Sequence, residues 1–517
     1  MARTAGPRAS GRRGRRETRG KGIARLPWRS VVNRLPPIEV LSADQVEAIH
    51  QASLRVLSEI GMRVLCPEAR SLLGAAGAEV DEAARNVRFD PALVEAEIAK
   101  APASFTIRAR NPAKTVTIGG NHINFSMVGG PSFVSDLDRG RRPGTFAELC
   151  DFQRIGQMLD IIHTTNCSPF EPLDLPPETR HLDRYYAAAR LADKVWSASL
   201  LGGFRARDGL AMIAIAHGID EDALPQQPLV FGNINTNSPR QLDVAMAQGL
   251  MALARAGQPV VVTPFTLSGA MAPATLAGAL TQQNAEALAG MALAQVVRPG
   301  APVVYGGFTS NVDMKSGAPA FGTPEYTKAA QATGQLARRY RVPYRSSSTN
   351  ASNAVDAQAA YESEMSLWGA VMGHANMIFH SAGWLESGLT ASFEKLIVDA
   401  EMLQMMAEYL TPIAVDEDQL AIEAIREVAP GGHFFGSVHT LARYETAFYA
   451  PLLSDWRNFE TWRDGGSLDT AKRANAIWKR LLADYEPPPL DPAIDEALQA
   501  YVARRKEELA RDPQSAA

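Results

Sequence analysis

Cysteine is scarce in this 517-residue chain: Cys66, Cys150 and Cys167 are odd in number and widely spaced. That pattern argues against a disulfide framework and for a reducing, cytoplasmic setting. No uncharged run approaches the roughly 20 apolar residues of a membrane span, so a membrane protein is not expected. A phosphate-cradling loop is missing too. The glycine pairs that begin at Gly129, Gly202 and Gly306 lack the Walker or dinucleotide spacing, and nucleotide use is unsupported. No apolar segment follows the basic head, which argues against a secretory or twin-arginine signal.

What is present is the composition of a soluble globular protein, 46% hydrophobic and 21% charged. The length suits one large barrel with additions, or two to three domains of about 150 residues. The net charge of −4 is unevenly spread, because residues 1–34 hold a run of basic residues from Arg3 to Arg34 among Gly, Ser and Pro. Such a segment cannot build a core and is read as a solvated, disordered tail. A nucleic-acid-binding arm is the weaker reading, since no basic or aromatic surface pattern follows it.

Residues 35–120 read as a small mixed α/β cap. VLSADQVEAIHQASLRVLSEIG has helical spacing with Ser42 as its cap, PALVEAEIAKAP is a second short helix, and SFTIRAR and KTVTIGG form a hairpin around NPA. Over 121–410 short β-branched runs alternate with long alanine-rich amphipathic ones. The strands are INFSMVGG, IIHTTNCSP, VWSASLLGG, PLVFGNINT, PVVVTPFTLSG, PVVYGGFTSN, VPYRSSSTN and MIFHSAG. Eight strand-then-helix units predict an α/β protein built on a (β/α)₈ TIM barrel. Residues 411–517 read as a helical extension that wraps the barrel or builds an oligomer contact, and a homo-oligomer is expected.

Active sites of such barrels form at the carboxyl ends of the strands. Here those ends carry Asn166 and Cys167, Asn233 and Asn235, Thr266 and Ser268, Thr309 and Asn311, Ser346 to Asn350, and His380. A lone histidine is more often a satisfied polar group than a catalyst, but His380 closes an apolar strand where barrels place function, and we read it as the catalytic candidate. The aromatics near strand ends are Phe133, Phe265, Tyr305, Phe308, Tyr344 and Trp384; core filling and a box for a quaternary ammonium explain them equally well. Glu386 is either a site carboxylate or a helix-start carboxylate. His163 and Cys167 share a strand face, but a metal needs three converging ligands and only Cys150 lies near in sequence. A buried thiol and a hydrogen-bonded imidazole are preferred, and no metal is expected.

The long block from Thr266 to Glu325, then VDAQAAYESEMSL and HSAGWLESGLTASFEKLIVDAEML, resembles the trimethylamine methyltransferase family. GGHFFGSVHT and LSDWRNFETW are similar to that family's C-terminal blocks, so the resemblance spans nearly everything but the basic head. It implies a (β/α)₈ barrel that moves a methyl group from a methylated amine to the cobalt(I) of a separate corrinoid protein. No permanently bound cofactor is then expected, the cobalamin being supplied by the partner, and the chain lacks an Asp-x-His-x-x-Gly cobalamin-binding motif. Members that demethylate trimethylamine carry pyrrolysine near the segment that matches SSSTNASNAVDAQA, whereas this chain contains only standard residues. Members without pyrrolysine include glycine betaine methyltransferases. A quaternary ammonium suits such a site because it already carries a neutral leaving group. On this reading Tyr305, Phe308 and Trp384 hold the cation, and His380, Asn311, Asn233 or Arg345 hold a carboxylate. The alternatives are a barrel lyase or hydrolase acting on another small molecule, and a betaine-binding protein without catalysis.

Overall fold

A computed structural model describes residues 26–511. Eight parallel strands close into a barrel: β1 His122–Met127, β2 Thr164–Asn166, β3 Val195–Ser199, β4 Phe231–Ile234, β5 Val260–Val262, β6 Val303–Gly306, β7 Tyr344–Ser347 and β8 Met377–Ala382. Each pairs with its neighbour in sequence, and β8 pairs with β1 to complete the ring. A helix follows each strand: α1 Phe146–Met158, α2 Arg180–Leu191, α3 Gly203–His217, α4 Val244–Arg255, α5 Leu276–Val297, α6 Pro324–Tyr340, α7 Ala357–Met372 and α8 Phe393–Tyr409. This is the (β/α)₈ fold expected from the alternation.

The strand-to-helix loops end in residues chosen for that job. Thr145, Asp243, Thr275, Thr323, Asp356 and Ser392 each accept a backbone N–H of the helix they precede. Such caps satisfy donors that a helix start leaves unpaired, each worth about 1 kcal/mol. They fix where each loop lets go of the barrel mouth.

Two of the sequence runs are broken rather than continuous. PVVVTPFTLSG divides into β5 and a second strand, Phe265–Ser268, and PVVYGGFTSN into β6 and Phe308–Val312. The outer pieces pair with each other and with Pro319–Ala320 in a small sheet above the mouth. A second outer sheet joins Trp384–Leu385, Thr390–Ser392, Phe133–Asp136 and Gly140–Pro143. The mouth is thus roofed by loops of the barrel itself.

The N-terminal mixed region lies elsewhere. Helices Ala43–Arg55, Pro67–Ala75 and Pro91–Ile98 pack against α5, which is why that helix is buried on nearly every side. The hairpin Ser104–Ile107 with Val116–Gly119 plugs the amino end of the barrel: Ile107, Val116 and Ile118 pack on Val195, Phe231, Val261, Val304, Met377 and Phe379 from the strands. Of the segment read as a disordered tail, residues 1–25 lie outside the described residues. The rest is ordered: Val31–Val32 pairs antiparallel with β1, and Trp28 packs edge-on to His163 at 5.0 Å. Trp28 and the two valines bring enough apolar surface to dock, which the arginine-rich composition of the whole segment concealed.

Beyond α8 the chain runs through short helical pieces and returns to the barrel at Leu452, whose N–H donates to Glu401 at 2.7 Å. Helix Thr470–Ala483 then packs on α8 and α1, and helix Pro492–Arg511 on α2 and α3. No helix of the described residues is long and apolar enough to cross a membrane.

Candidate active site

At the carboxyl end of the barrel lies a cavity of about 640 Å³. Its wall follows strand alternation, in which every second side chain faces inward. On β4 Phe231 fills the plugged end and Asn233 the cavity; on β7 Arg345 points in. Asn233 accepts from Thr263 Oγ1 at 2.7 Å and donates to Asn235 Oδ1 at 3.0 Å, which fixes both amides.

β8 departs from simple alternation. Ile378 and Ala382 pair with Phe125 and Met127, so four residue steps on β8 match two on β1. Within this bulge His380 adopts φ 54°, a left-handed conformation that is costly for a residue with a Cβ. The consequence is that neighbours Phe379 and His380 both line the cavity. The turn beyond is anchored from behind: Asp399 accepts the Gly383 N–H at 2.8 Å and pairs with Lys395, whose Nζ also donates to Ser363 at 2.9 Å. Trp384 is locked by exchange with Asn350: its Nε1 donates to the Asn350 carbonyl at 3.0 Å, and Asn350 Nδ2 donates to its carbonyl at 2.7 Å.

Arg345 dominates the electrostatics. It is 2% exposed, its Nε has no hydrogen-bond partner, and Nη1 reaches only the Gly307 carbonyl at 3.5 Å. Among the described residues it forms no ion pair. The guanidinium rests instead on the rings of Phe379 at 4.5 Å and Phe308 at 5.0 Å. Burial pulls its pKa down to about 10, which leaves it cationic at neutral pH. Burial, and then the Arg345 charge, hold His380 well below the ordinary histidine range, so its imidazole is neutral. Nδ1 of that ring faces the Gly129 N–H at 3.4 Å, which assigns the proton to Nε2.

Around these groups stands an aromatic wall. Phe308 stacks on Phe321 at 5.3 Å, Phe265 lies 5.1 Å from Phe308, and Trp384 lies 4.4 Å from His380 and 5.9 Å from Phe321. The carboxylate on the cavity wall, Glu171, is already paired with Arg184 and Arg180. A cation entering this wall therefore meets ring faces rather than a free carboxylate. With Arg184 neutralised by Glu171, the arrangement offers one unpaired buried cation, Arg345, for an anionic group and aromatic faces for a cationic one.

Of the residues singled out in the sequence, the structure brings His380, Phe308, Trp384, Asn233 and Arg345 together on the cavity. Three are corrected. Tyr305 faces outward: Val304 is the inward residue of β6, so its successor points at the helices, where its hydroxyl donates to Asn284 Oδ1 at 2.9 Å. Asn311 belongs to the outer sheet, and its Oδ1 accepts from Thr323, the cap of α6, at 2.9 Å. Glu386 pairs with Arg141 at 2.7 Å across the second outer sheet. Burial favours its neutral form, but hydrogen bonds from Arg141 and Thr390 outweigh that and hold its pKa low. Phe379 and Phe321 were missed: a bulge and a loop place them, and neither leaves a periodic signal.

Cys167 lines the cavity as a protonated thiol, its pKa pushed up to about 11 by burial. His163 lies at the other end of β2, its Nδ1 accepting from the Phe125 N–H and its Nε2 donating to the Arg29 carbonyl, both at 3.0 Å. Both ring nitrogens are committed to backbone. Among the described residues no three His, Cys, Asp or Glu side chains converge as metal ligands.

A family model described as trimethylamine methyltransferase (MTTB) matches residues 8–510. A glycine betaine methyltransferase of Desulfitobacterium hafniense is 38% identical over 479 residues, 92% of this chain and 99% of the relative. A trimethylamine methyltransferase of the same species is 30% identical, over 90% of this chain and 94% of the relative. One from Methanosarcina mazei is 29% identical over the same shares.

Proposed function

This chain belongs to the trimethylamine methyltransferase family and is a methyltransferase; from that premise we propose that its methyl donor is a betaine, a quaternary ammonium bearing a carboxylate. The observation that carries this reading is Arg345, a buried guanidinium with no acidic partner beside an aromatic wall. An unpaired buried charge is costly, and a bound carboxylate relieves that cost with charge-assisted hydrogen bonds. Nε2–H of the neutral His380 supplies a further donor. With the carboxylate held there, the ammonium is placed against Trp384, Phe308 and Phe321, where each ring face contributes about 0.5–2 kcal/mol.

The acceptor in this reading is a corrinoid carried by a separate protein, which supplies a cobalt(I) nucleophile at the barrel mouth. Its attack on one N-methyl carbon leaves the C–N bonding pair on nitrogen, and a neutral tertiary amine departs. No proton moves, so a neutral His380 orients and donates rather than acting as a base. The chain's contribution is orientation and exclusion of water, and aligned reactants account for much of a bimolecular barrier.

The test is to mix the protein with a reduced corrinoid protein and follow cobalt(I) absorbance while offering glycine betaine, larger betaines, choline and trimethylamine. Methylation with a betaine but not with choline or trimethylamine is the expected result. Demethylation of trimethylamine with betaines inert would overturn the reading.

A further inference from the structure

The middle of α5 is polar although the helix is buried. Gln282, Gln283, Asn284 and Glu286 lie within one and a half turns of each other, and all four are buried. Glu286 is 0% exposed, and among the described residues no Lys, Arg or His side chain pairs with it. An apolar side chain would fill that place at lower cost, because a carboxylate taken out of water needs its lone pairs met. Four donors meet them: the Thr236 hydroxyl, the Ser238 hydroxyl at 2.6 Å, the Arg240 N–H at 2.8 Å and Gln282 Nε2 at 2.9 Å.

Three of these donors belong to the loop that leaves β4. Residues 236–240, TNSPR, bring no apolar side chain to the core, since Pro239 is exposed, so hydrogen bonds must hold them. Arg240 sits at φ 53°, a conformation that persists only where its surroundings fix it, and its N–H is the one that Glu286 accepts. Gln282 extends the anchor, because its Nε2 also donates to the Met271 carbonyl at 2.9 Å in the loop before α5. Thr236, Asn237, Ser238 and Met271 all line the cavity.

We infer that Glu286 is a positioning residue for methyl transfer: it holds loop 236–240 as the far wall of the mouth and so sets how the acceptor meets the bound donor. In a ring of eight strands β4 stands opposite β8, so this wall faces His380 and Trp384 across the cavity. The inference rests on the proposed transfer to a separate corrinoid, in which β7, β8 and the aromatic wall hold the donor and the opposite wall bounds the approach of the acceptor. Hydrogen bonds to an ionised group are about twice as strong as neutral ones, which suits a carboxylate to this task. Alignment is sensitive to such an anchor, since a misplacement of about 1 Å can cost about 100-fold in rate.

Glu286→Met removes the anchor. Hydrogen exchange of the peptide containing the Arg240 amide should then lose its protection, while the barrel strands keep theirs. Turnover (kcat) of methyl transfer should fall about 20-fold or more, and the Kd for the donor, measured without corrinoid, should stay within about twofold. Glu286→Gln should restore both protection and kcat, because the Thr236 and Ser238 hydroxyls can turn to accept from its amide while its carbonyl keeps the two N–H donors. Should Glu286→Met not fold, Thr236→Val with Ser238→Ala removes the two hydroxyl contacts and carries the same expectation. A folded variant that loses the protection yet keeps the parent's kcat would overturn the inference. So would a donor Kd that rises as far as kcat falls, or a Glu286→Gln chain as impaired as Glu286→Met. Exchange needs neither donor nor corrinoid, so a failure of the corrinoid reading shows as a parent without activity, and a failure of this inference as an active parent with an indifferent variant.

Discussion

The two ends of one barrel are built from the same strands and obey opposite rules. At the amino end the inward positions are Val195, Phe231, Val261, Val304 and Met377, closed by the apolar hairpin Ser104–Ile107 with Val116–Gly119. A few residues further along, the inward positions are Ser197, Asn233 and Arg345, with Arg345 unpaired and His380 held at φ 54°. The closed end invests in packing. The open end carries strain and an unmet charge, which persist only because the rest of the fold holds them, and such features mark sites that act on a ligand. Stability and function should therefore separate along the barrel axis.

The largest effect is expected at the closed end. Phe231→Ala should cost about 3–5 kcal/mol in unfolding free energy, as large-to-small core changes do, while the KM for the methyl donor stays within twofold. Arg345→Met should do the reverse. Turnover (kcat/KM) with a betaine should fall by a factor of about 100 or more, while the melting temperature holds or rises, because removing an uncompensated buried charge is neutral or stabilising. Next comes acid sensitivity of the closed end. Burial holds the His163 pKa at about 4, below the ordinary 6.5, so the unfolded chain takes up a proton there before the folded one does. Stability is thus full above pH 6.5 and is lost as pH falls toward 4, by up to about 3 kcal/mol from this group. Chemical denaturation of His163→Gln at pH 7 and pH 4.5 should show a smaller acid loss than the parent. The smallest effect is at the aromatic wall, where Trp384→Leu should raise the betaine KM by about 1 kcal/mol, or fivefold, with the fold intact. An equal loss of stability and activity in all four variants would erase the contrast between the ends.

The eight-fold alternation, and with it the barrel, was legible because β-branched runs and amphipathic helices have different periods. His380, Arg345, Asn233, Phe308 and Trp384 were legible as residues at or just beyond strand tips. What failed was parity. Tyr305 sits next to the tip of β6, but whether a tip residue faces in or out depends on which of its neighbours is inward, and nothing local decides that for VVYGG. Asn311 was misplaced because Gly306–Gly307 ends one strand and Phe308 begins another, and an apolar run does not reveal such a break. Phe379 was missed for the converse reason: the bulge turns two consecutive residues inward, against the period of two. The docking of Trp28 was hidden by its arginine-rich surroundings.

The central claim is that Arg345 is unpaired in order to receive a carboxylate. It is tested most directly by titrating glycine betaine and choline, which share the trimethylammonium and differ in the carboxylate, into the parent chain and Arg345→Met without any corrinoid present. The parent should bind glycine betaine about 100-fold more tightly than choline, and Arg345→Met should bind the two alike. A variant that keeps the parent's preference for glycine betaine would contradict the account.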